Sequence, residues 1–261
     1  MDNMSIDTLP ICEDLRDMLR AYVDAVRSLP SVDTVGVYLH GSLAVGGWNP
    51  LHSDVDFAAL QRRPLGDAEL RALAEMHERL VRAHPAAVRL DGRYVPLERA
   101  GSYRRGLVPS CREGRVVPGR PGDVNAVMWH TLRTRGIALF GPQAADLVPP
   151  VTRDDLMENM RFNLEFLSRR MPVYLLGGTE STVFGVLSLC RVLHTLCTSE
   201  IVSKEEAAEW ALGEIDDRWH PLVRCATRRY ADGDFVGRDL LLTRHARGFL
   251  VSIRERTRQS A

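Results

Sequence analysis

The sequence predicts an α+β chain in two parts, a small mixed α/β domain followed by an α-helical bundle. Three observations predict it. Short β-branched apolar runs occupy the first hundred residues, amphipathic helical stripes dominate after residue 123, and between them residues 101–122 are rich in Gly, Pro and Arg without any period. The expected boundaries are therefore 1–100 for the first domain, 101–122 for a loop or linker, and 123–261 for the helical domain.

From Ile11 to Leu29 the apolar residues Leu15, Met18, Leu19, Tyr22, Val23 and Val26 recur at helical spacing, which predicts an opening amphipathic helix that Pro30 helps to end. Residues 35–40, VGVYLH, are short and β-branched and are broken by Gly41-Ser42, as in a strand that runs into a turn. Residues 54–60, DVDFAAL, begin with polar/apolar alternation and read as a half-buried strand. Gly66 to His84 reads as helix. Ala86 to Leu97 supplies a third extended segment, with Val88, Leu90 and Tyr94 on one side and Arg89, Asp91 and Arg93 on the other.

In 101–122 the residues Arg104, Arg105, Arg112, Arg115 and Arg120 outnumber Glu113, which suits a solvated loop or an electrostatic lid over a polyphosphate. Asp123 is placed to cap the next helix and Gly136 to stop it. Leu156, Met160, Leu164, Leu167 and Met171 form one core stripe, and Val183, Val186, Leu187, Cys190, Leu193 and Cys197 form another. Ser203-Lys-Glu-Glu206 has the capping-box pattern and starts a helix at Lys204. Further helices are expected from Pro221 to Tyr230 and from Asp239 to about Arg256.

The bulk numbers exclude several classes of function. With 34 basic and 34 acidic side chains the formal charge is zero, which argues against a protein that grips nucleic acid nonspecifically. The five cysteines are scattered, without metal-ligand spacing, and read as reduced thiols. The first ten residues lack a basic segment followed by an apolar one, and no apolar run reaches the length of a membrane span. A cytoplasmic monomer without membrane or nucleic-acid partners is expected.

The chemistry concentrates at the end of the first strand and the head of the second. Strand side chains alternate, so Asp54 and Asp56 project from one face while Val55 and Phe57 enter the core. Two converging carboxylates repel, and a divalent cation relieves the repulsion; Mg2+ favours one or two carboxylates completed by substrate phosphates and water. Gly41 lets backbone N–H groups approach a phosphate, and the Ser42 hydroxyl adds a hydrogen bond. Each half alone reads as an ordinary turn or strand end; together they predict a nucleotide and metal site. A third carboxylate is expected, to bridge metal ions or accept the proton of an attacking hydroxyl. Asp91 is the first candidate, as metal ligand or base, and Glu98 the alternative.

Residues 40–56, HGSLAVGGWNPLHSDVD, resemble the signature of the polymerase-beta-like nucleotidyltransferases, and specifically of the bacterial aminoglycoside adenylyltransferases acting on streptomycin and spectinomycin. Residues 135–142, RGIALFGP, and 203–211, SKEEAAEWA, are similar to segments of the same family's second half. The resemblance implies a polymerase-beta-like N-terminal domain, a helical C-terminal domain, and ATP and drug bound between them. It implies Mg2+ on Asp54 and Asp56, nucleotide contacts from Ser42 and Ser53, and ATP contacts from Arg191, Lys204 and Tyr230. For Lys204 there is also a physical reason, because a cation at a helix N-terminus opposes the macrodipole and wants another partner.

Two departures from the family pattern matter. The family's general base is a glutamate, where this chain has the shorter Asp91. The drug-holding segment before the Arg191 helix, here MPVYLLGGTE at 171–180, carries Glu180 as its one carboxylate. The implied reaction is Mg2+-dependent transfer of AMP from ATP to a hydroxyl of an aminoglycoside or aminocyclitol antibiotic, which confers resistance. The alternatives are a transferase that modifies a protein or another small acceptor, and a noncatalytic nucleotide-binding module.

Overall fold

A computed structural model of the chain describes residues 6–102 and 107–259. Two compact units divide it, Met1–Val151 and Thr152–Ala261.

The first unit is built on a six-stranded sheet of order β5-β4-β3-β2-β1-β6. Its strands are β1 (Thr34–Leu39), β2 (Val55–Gln61), β3 (Leu90–Pro96), β4 (Ser110–Arg112), β5 (Arg115–Val117) and β6 (Ile137–Phe140). β2 pairs parallel with β3, and every other neighbouring pair is antiparallel. Helix α1 (Glu13–Arg27) buries the six apolar residues that its period singles out. It packs with α3 (Asp67–Ala83) on one sheet face, over Val37, Leu39, Val55, Phe57 and Tyr94. The opposite face carries Tyr38, Ala58, Leu60 and Val95 and is covered by α4 (Ala126–Arg135) through Met128 and Trp129. Strand alternation assigns Asp56, Asp91 and Arg93 to this second face, beside its apolar residues.

Several expectations change here. Residues 101–122 are not a linker, because they supply β4 and β5 to the sheet, while α4 and β6 also belong to the first unit, which runs to Val151. β6 returns to pair with β1, Leu39 opposite Ile137, and that non-local pairing moves the boundary from residue 123 to 152. Arg104 and Arg105, part of the expected lid, lie outside the described residues. Asp123 does not cap α4. Asn125 does, accepting the Met128 N–H at 2.9 Å, because the Asp123 carboxylate is taken up by Arg112, Ser110 and the Arg120 N–H. Ala86 to Leu97 is extended only from Leu90. Before it Pro85–Arg89 form a 3-10 turn, which leaves Val88 exposed.

The second unit is helical: α6 (Arg153–Leu176), α7 (Thr179–Thr198), α8 (Lys204–Leu212), α9 (His220–Asp232) and α10 (Leu240–Gln259), after the short α5 (Ala144–Leu147) that closes the first unit. Thr152, Ser203 and Asp239 cap α6, α8 and α10 by accepting backbone N–H groups of the first turn. α7 is the central helix, packed by α6, α8, α9 and α10. By length and composition it would suit a membrane span, contrary to the sequence expectation, and it is apolar because most of it is buried. Both predicted stripes are buried except Cys197, which is exposed in the last turn of α7.

Inside the first unit the Tyr94 hydroxyl lies 2.5 Å from His77 Nε2 and 3.2 Å from the Tyr22 hydroxyl. Burial lowers the His77 pKa from its ordinary 6.5 to about 4, so the folded chain keeps this imidazole neutral where an unfolded chain takes up a proton. His77 therefore contributes stability that is present above pH about 6.5 and is lost as the pH falls toward about 4. Urea denaturation from pH 7 downward is expected to lose up to ~1.4 kcal/mol per pH unit for this one group. His77→Gln should remove that part of the slope.

Candidate active site

β1 ends at Leu39, and a helical turn, α2 (Gly41–Ala44), follows. Gly41 sits at φ +62°, a backbone conformation that L side chains rarely adopt, and a Cβ there would fall 1.9 Å from Asp56 Oδ2. The bare glycine is what allows the Asp56 carboxylate to lie against the turn, and the His40 N–H, 3.0 Å from the Asp56 carbonyl oxygen, fixes the two segments together. The Ser42 hydroxyl and His40 Nε2 are buried and have no hydrogen-bond partner among the described residues. A buried hydroxyl without a partner costs about 1–3 kcal/mol and is expected where a ligand completes it. Burial, and next the field of Arg93, lower the His40 pKa to about 4 against a hydrogen bond with the Phe57 backbone, so this imidazole adds no cation to the site.

Asp54 is the residue just before β2 and is exposed, while Asp56, inside the strand, is half-buried. The loop that delivers Asp54 is stiffened from within. Ser53 Oγ accepts the Asn49 N–H at 3.0 Å, so this hydroxyl, expected on the nucleotide, also serves the loop. Arg89, which the sequence reading placed simply on the polar side of a strand, stacks its guanidinium 4.7 Å over Trp48. It also donates to the carbonyls of Ser53 and Pro50 at 3.1 and 3.0 Å. Arg89→Ala should therefore loosen Asp54 and lower kcat/KM on the order of 10–10² fold. Steady-state kinetics, with a thermal melt to check folding, would measure it.

Asp91 stands directly beside Asp56 in the parallel β2–β3 register, as the sheet-face argument requires. Its carboxylate nevertheless turns toward arginines: Oδ1 accepts from Arg93 Nη1, and Oδ2 lies 3.7 Å from Arg112 Nη1. Arg112 and Arg93 both reach Asp123 as well. Among the described residues no three His, Cys, Asp or Glu side chains gather to hold a metal ion, so the expected trio of Asp54, Asp56 and Asp91 is not assembled. The Asp91 carboxylate is instead engaged by the two guanidinium groups. Glu98 is exposed in a 3-10 turn after β3. The remaining pair still fits Mg2+, which takes one or two protein carboxylates and fills its other positions from phosphate and water.

Within the second unit, Lys204 Nζ sits 4.5 Å from the Tyr230 ring centroid and 5.3 Å from that of Phe184, and 3.3 Å from the Tyr230 hydroxyl. Two aromatic faces thus offset the unfavourable helix end that Lys204 occupies. Phe184 went unread in the sequence; its spacing from Tyr174 is inconspicuous, and the two rings meet edge to face at 5.8 Å. Arg191 is half-buried on α7, and Glu180 is exposed in that helix's first turn.

The chain is similar to known adenylyltransferases in sequence and in fold. Residues 146–246 match the family described as aminoglycoside adenylyltransferase, C-terminal domain. The chain is 25% identical over 214 residues to a spectinomycin 9-adenylyltransferase of Campylobacter jejuni, covering 75% of this chain and 78% of the relative. It is 26% identical over 210 residues to an aminoglycoside (3'') (9) adenylyltransferase of Klebsiella pneumoniae, with coverage of 75% and 78%. It is 28% identical over 233 residues to a spectinomycin 9-adenylyltransferase of Staphylococcus aureus, with coverage of 76% and 85%. In fold it resembles a spectinomycin adenyltransferase from Enterococcus faecialis, whose crystal structure holds ATP and spectinomycin. The TM-score is 0.71 at 15% identity, over 93% of this chain and 98% of that one.

Proposed function

We propose, from the premise that this chain is a nucleotidyltransferase with the C-terminal domain of the aminoglycoside adenylyltransferases over residues 146–246, that it transfers AMP from Mg2+-ATP to a hydroxyl of an aminoglycoside-type antibiotic. The observation that carries this reading is the Gly41 turn laid against Asp56, with the unpartnered Ser42 hydroxyl beside it. Asp54 and Asp56 would hold Mg2+, which when bound would neutralise charge on the phosphates. Ser42 donates its hydroxyl hydrogen to a phosphate oxygen, and backbone N–H groups of the turn help to orient the chain of phosphates. The acceptor oxygen attacks the α-phosphorus in line, the bond from that phosphorus to the bridging oxygen breaks, and pyrophosphate leaves. Asp91 takes the proton of the attacking hydroxyl. Arg191 and Lys204 counter the charge of the nucleotide's phosphates, and Ser53 and Tyr230 complete the nucleotide contacts.

Glu180 is the acceptor-side carboxylate. One exposed carboxylate in 171–180 favours a lightly charged aminocyclitol of the spectinomycin type over the more cationic streptomycin, since each ammonium group gives up hydration on binding. The test is incubation with Mg2+, α-labelled ATP and a panel of both drug types. Labelled spectinomycin and released pyrophosphate are expected. Label on protein, or ATP binding without turnover on any acceptor, would replace this reading by a protein-modifying transferase or a noncatalytic module.

A further inference from the structure

Asp91 belongs to a closed set of four charges. Arg93, two residues along the same strand face, donates to Oδ1. Arg112 reaches toward Oδ2 from β4, the strand paired to β3. Both arginines end on Asp123, Arg112 in a direct hydrogen bond and Arg93 at 3.7 Å. Asp123 is itself anchored, because it also accepts the Arg120 N–H at 2.7 Å and the Ser110 hydroxyl at 3.1 Å. Burial pushes its pKa up, but the hydrogen bonds from Arg112 and Arg120 and the fields of Arg93 and Arg112 prevail and hold it below the ordinary carboxylate value. The four side chains are 10–25% exposed, so solvent screens them little.

The two carboxylates are used differently. Asp123 receives donors on both oxygens, whereas Asp91 Oδ2, at 3.7 Å from Arg112 Nη1, is within ion-pair range but beyond hydrogen-bond range. One oxygen of Asp91 is thus tied by a hydrogen bond, and the other is held only by the longer ion pair to Arg112. A side chain one methylene shorter than glutamate has less reach, so its aim matters more.

We propose that Arg112 and Asp123 are positioning residues for the transfer reaction: anchored by Asp123, Arg112 works with Arg93 to hold Asp91 so that Oδ2 faces the proton it receives. The inference rests on the proposed role of Asp91 as proton acceptor. In this role Arg112 and Asp123 need no contact with substrate or metal, so nucleotide binding should survive their replacement.

The experiment compares wild type, Asp91→Asn, Arg112→Gln, Arg112→Lys, Asp123→Asn and the double variant Asp91→Asn/Arg112→Gln. It measures kcat and KM for Mg2+-ATP, with thermal melts to confirm folding. Arg112→Gln and Asp123→Asn should lower kcat on the order of 10–10² fold with KM changed less than about twofold. Arg112→Lys, which keeps the charge, should recover part of kcat. The double variant should be no slower than Asp91→Asn alone, since there is no carboxylate left to position. An inactive Asp91→Asn beside a fully active Arg112→Gln, or losses that multiply in the double variant, would overturn the positioning role and leave the function intact. An active Asp91→Asn, or a wild type that adenylylates no acceptor, would overturn the reading of the site and the positioning role with it. Should Arg112→Gln fail to fold, Arg112→Lys and Asp123→Asn carry the same comparison.

Discussion

Asp56→Asn is expected to lower AMP transfer on the order of 10³ fold, equivalent to about 4 kcal/mol of transition-state stabilisation, in a chain that still folds. The substitution keeps the shape of the side chain and removes the charge that a divalent cation needs, and among the described residues no third carboxylate joins Asp54 and Asp56 in a metal-holding group. Stability should change by less than about 1 kcal/mol, since Asp56 is only half-buried and the substitution keeps the side-chain shape. Asp54→Asn should act in the same direction. The measurement is kcat across a Mg2+ titration beside a thermal melt. Drug modification that persists at the wild-type rate in either variant would remove the metal from this pair.

Gly41→Ala is the second large effect, and it works by geometry. The added methyl would stand 1.9 Å from Asp56 Oδ2 and 2.6 Å from its Cγ, at a φ of +62°. The backbone strain alone is about 1–2 kcal/mol. Relief of the clash requires the carboxylate to swing from the turn, which separates the proposed metal ligand from the backbone proposed to face the phosphates. A loss on the order of 10² fold in kcat is expected, with a drop in unfolding free energy of ~1–3 kcal/mol. Urea titration and steady-state kinetics on one preparation would measure both. Gly46→Ala, where a Cβ meets nothing within 4 Å at φ +77°, carries similar strain without the clash. Comparing the two isolates the contribution of the Asp56 contact.

Local signals in the sequence reached most of the helices, because a helix announces itself over its own length: α1 buries the residues its period names, and Ser203 caps α8 as its pattern requires. They also bring Gly41 to Asp56, since a strand, a turn and an alternating strand are contiguous. What they missed depends on pairing between distant segments. β4 and β5 have three residues each, too short for a period, and the clue was the two-residue Glu113-Gly114 turn, both at positive φ as a tight hairpin demands. Among Gly, Pro and Arg neighbours that clue read as loop. The same blindness hid Arg112 and Asp123, whose meaning comes only from the strand that sets them beside Asp91, and Arg89, whose partners lie about forty residues earlier. Asp91 illustrates both limits: its sheet face was legible from alternation, whereas its arginine partner on β4 was not.

The burial pattern of the sulfur atoms divides the five thiols by chemistry rather than by sequence position. Cys12 and Cys197 are exposed, while Cys111, Cys190 and Cys225 are buried. Burial first, and the nearby Asp91 next, push the Cys111 thiol up to about 12, and burial does the same for Cys190, so neither offers a thiolate to an alkylating reagent at neutral pH. Each compact unit thus carries one thiol that reports on its surface and at least one that can react only once the unit has opened. The chain has a built-in clock for the opening of each unit, written in the order in which its own sulfurs become chemically available.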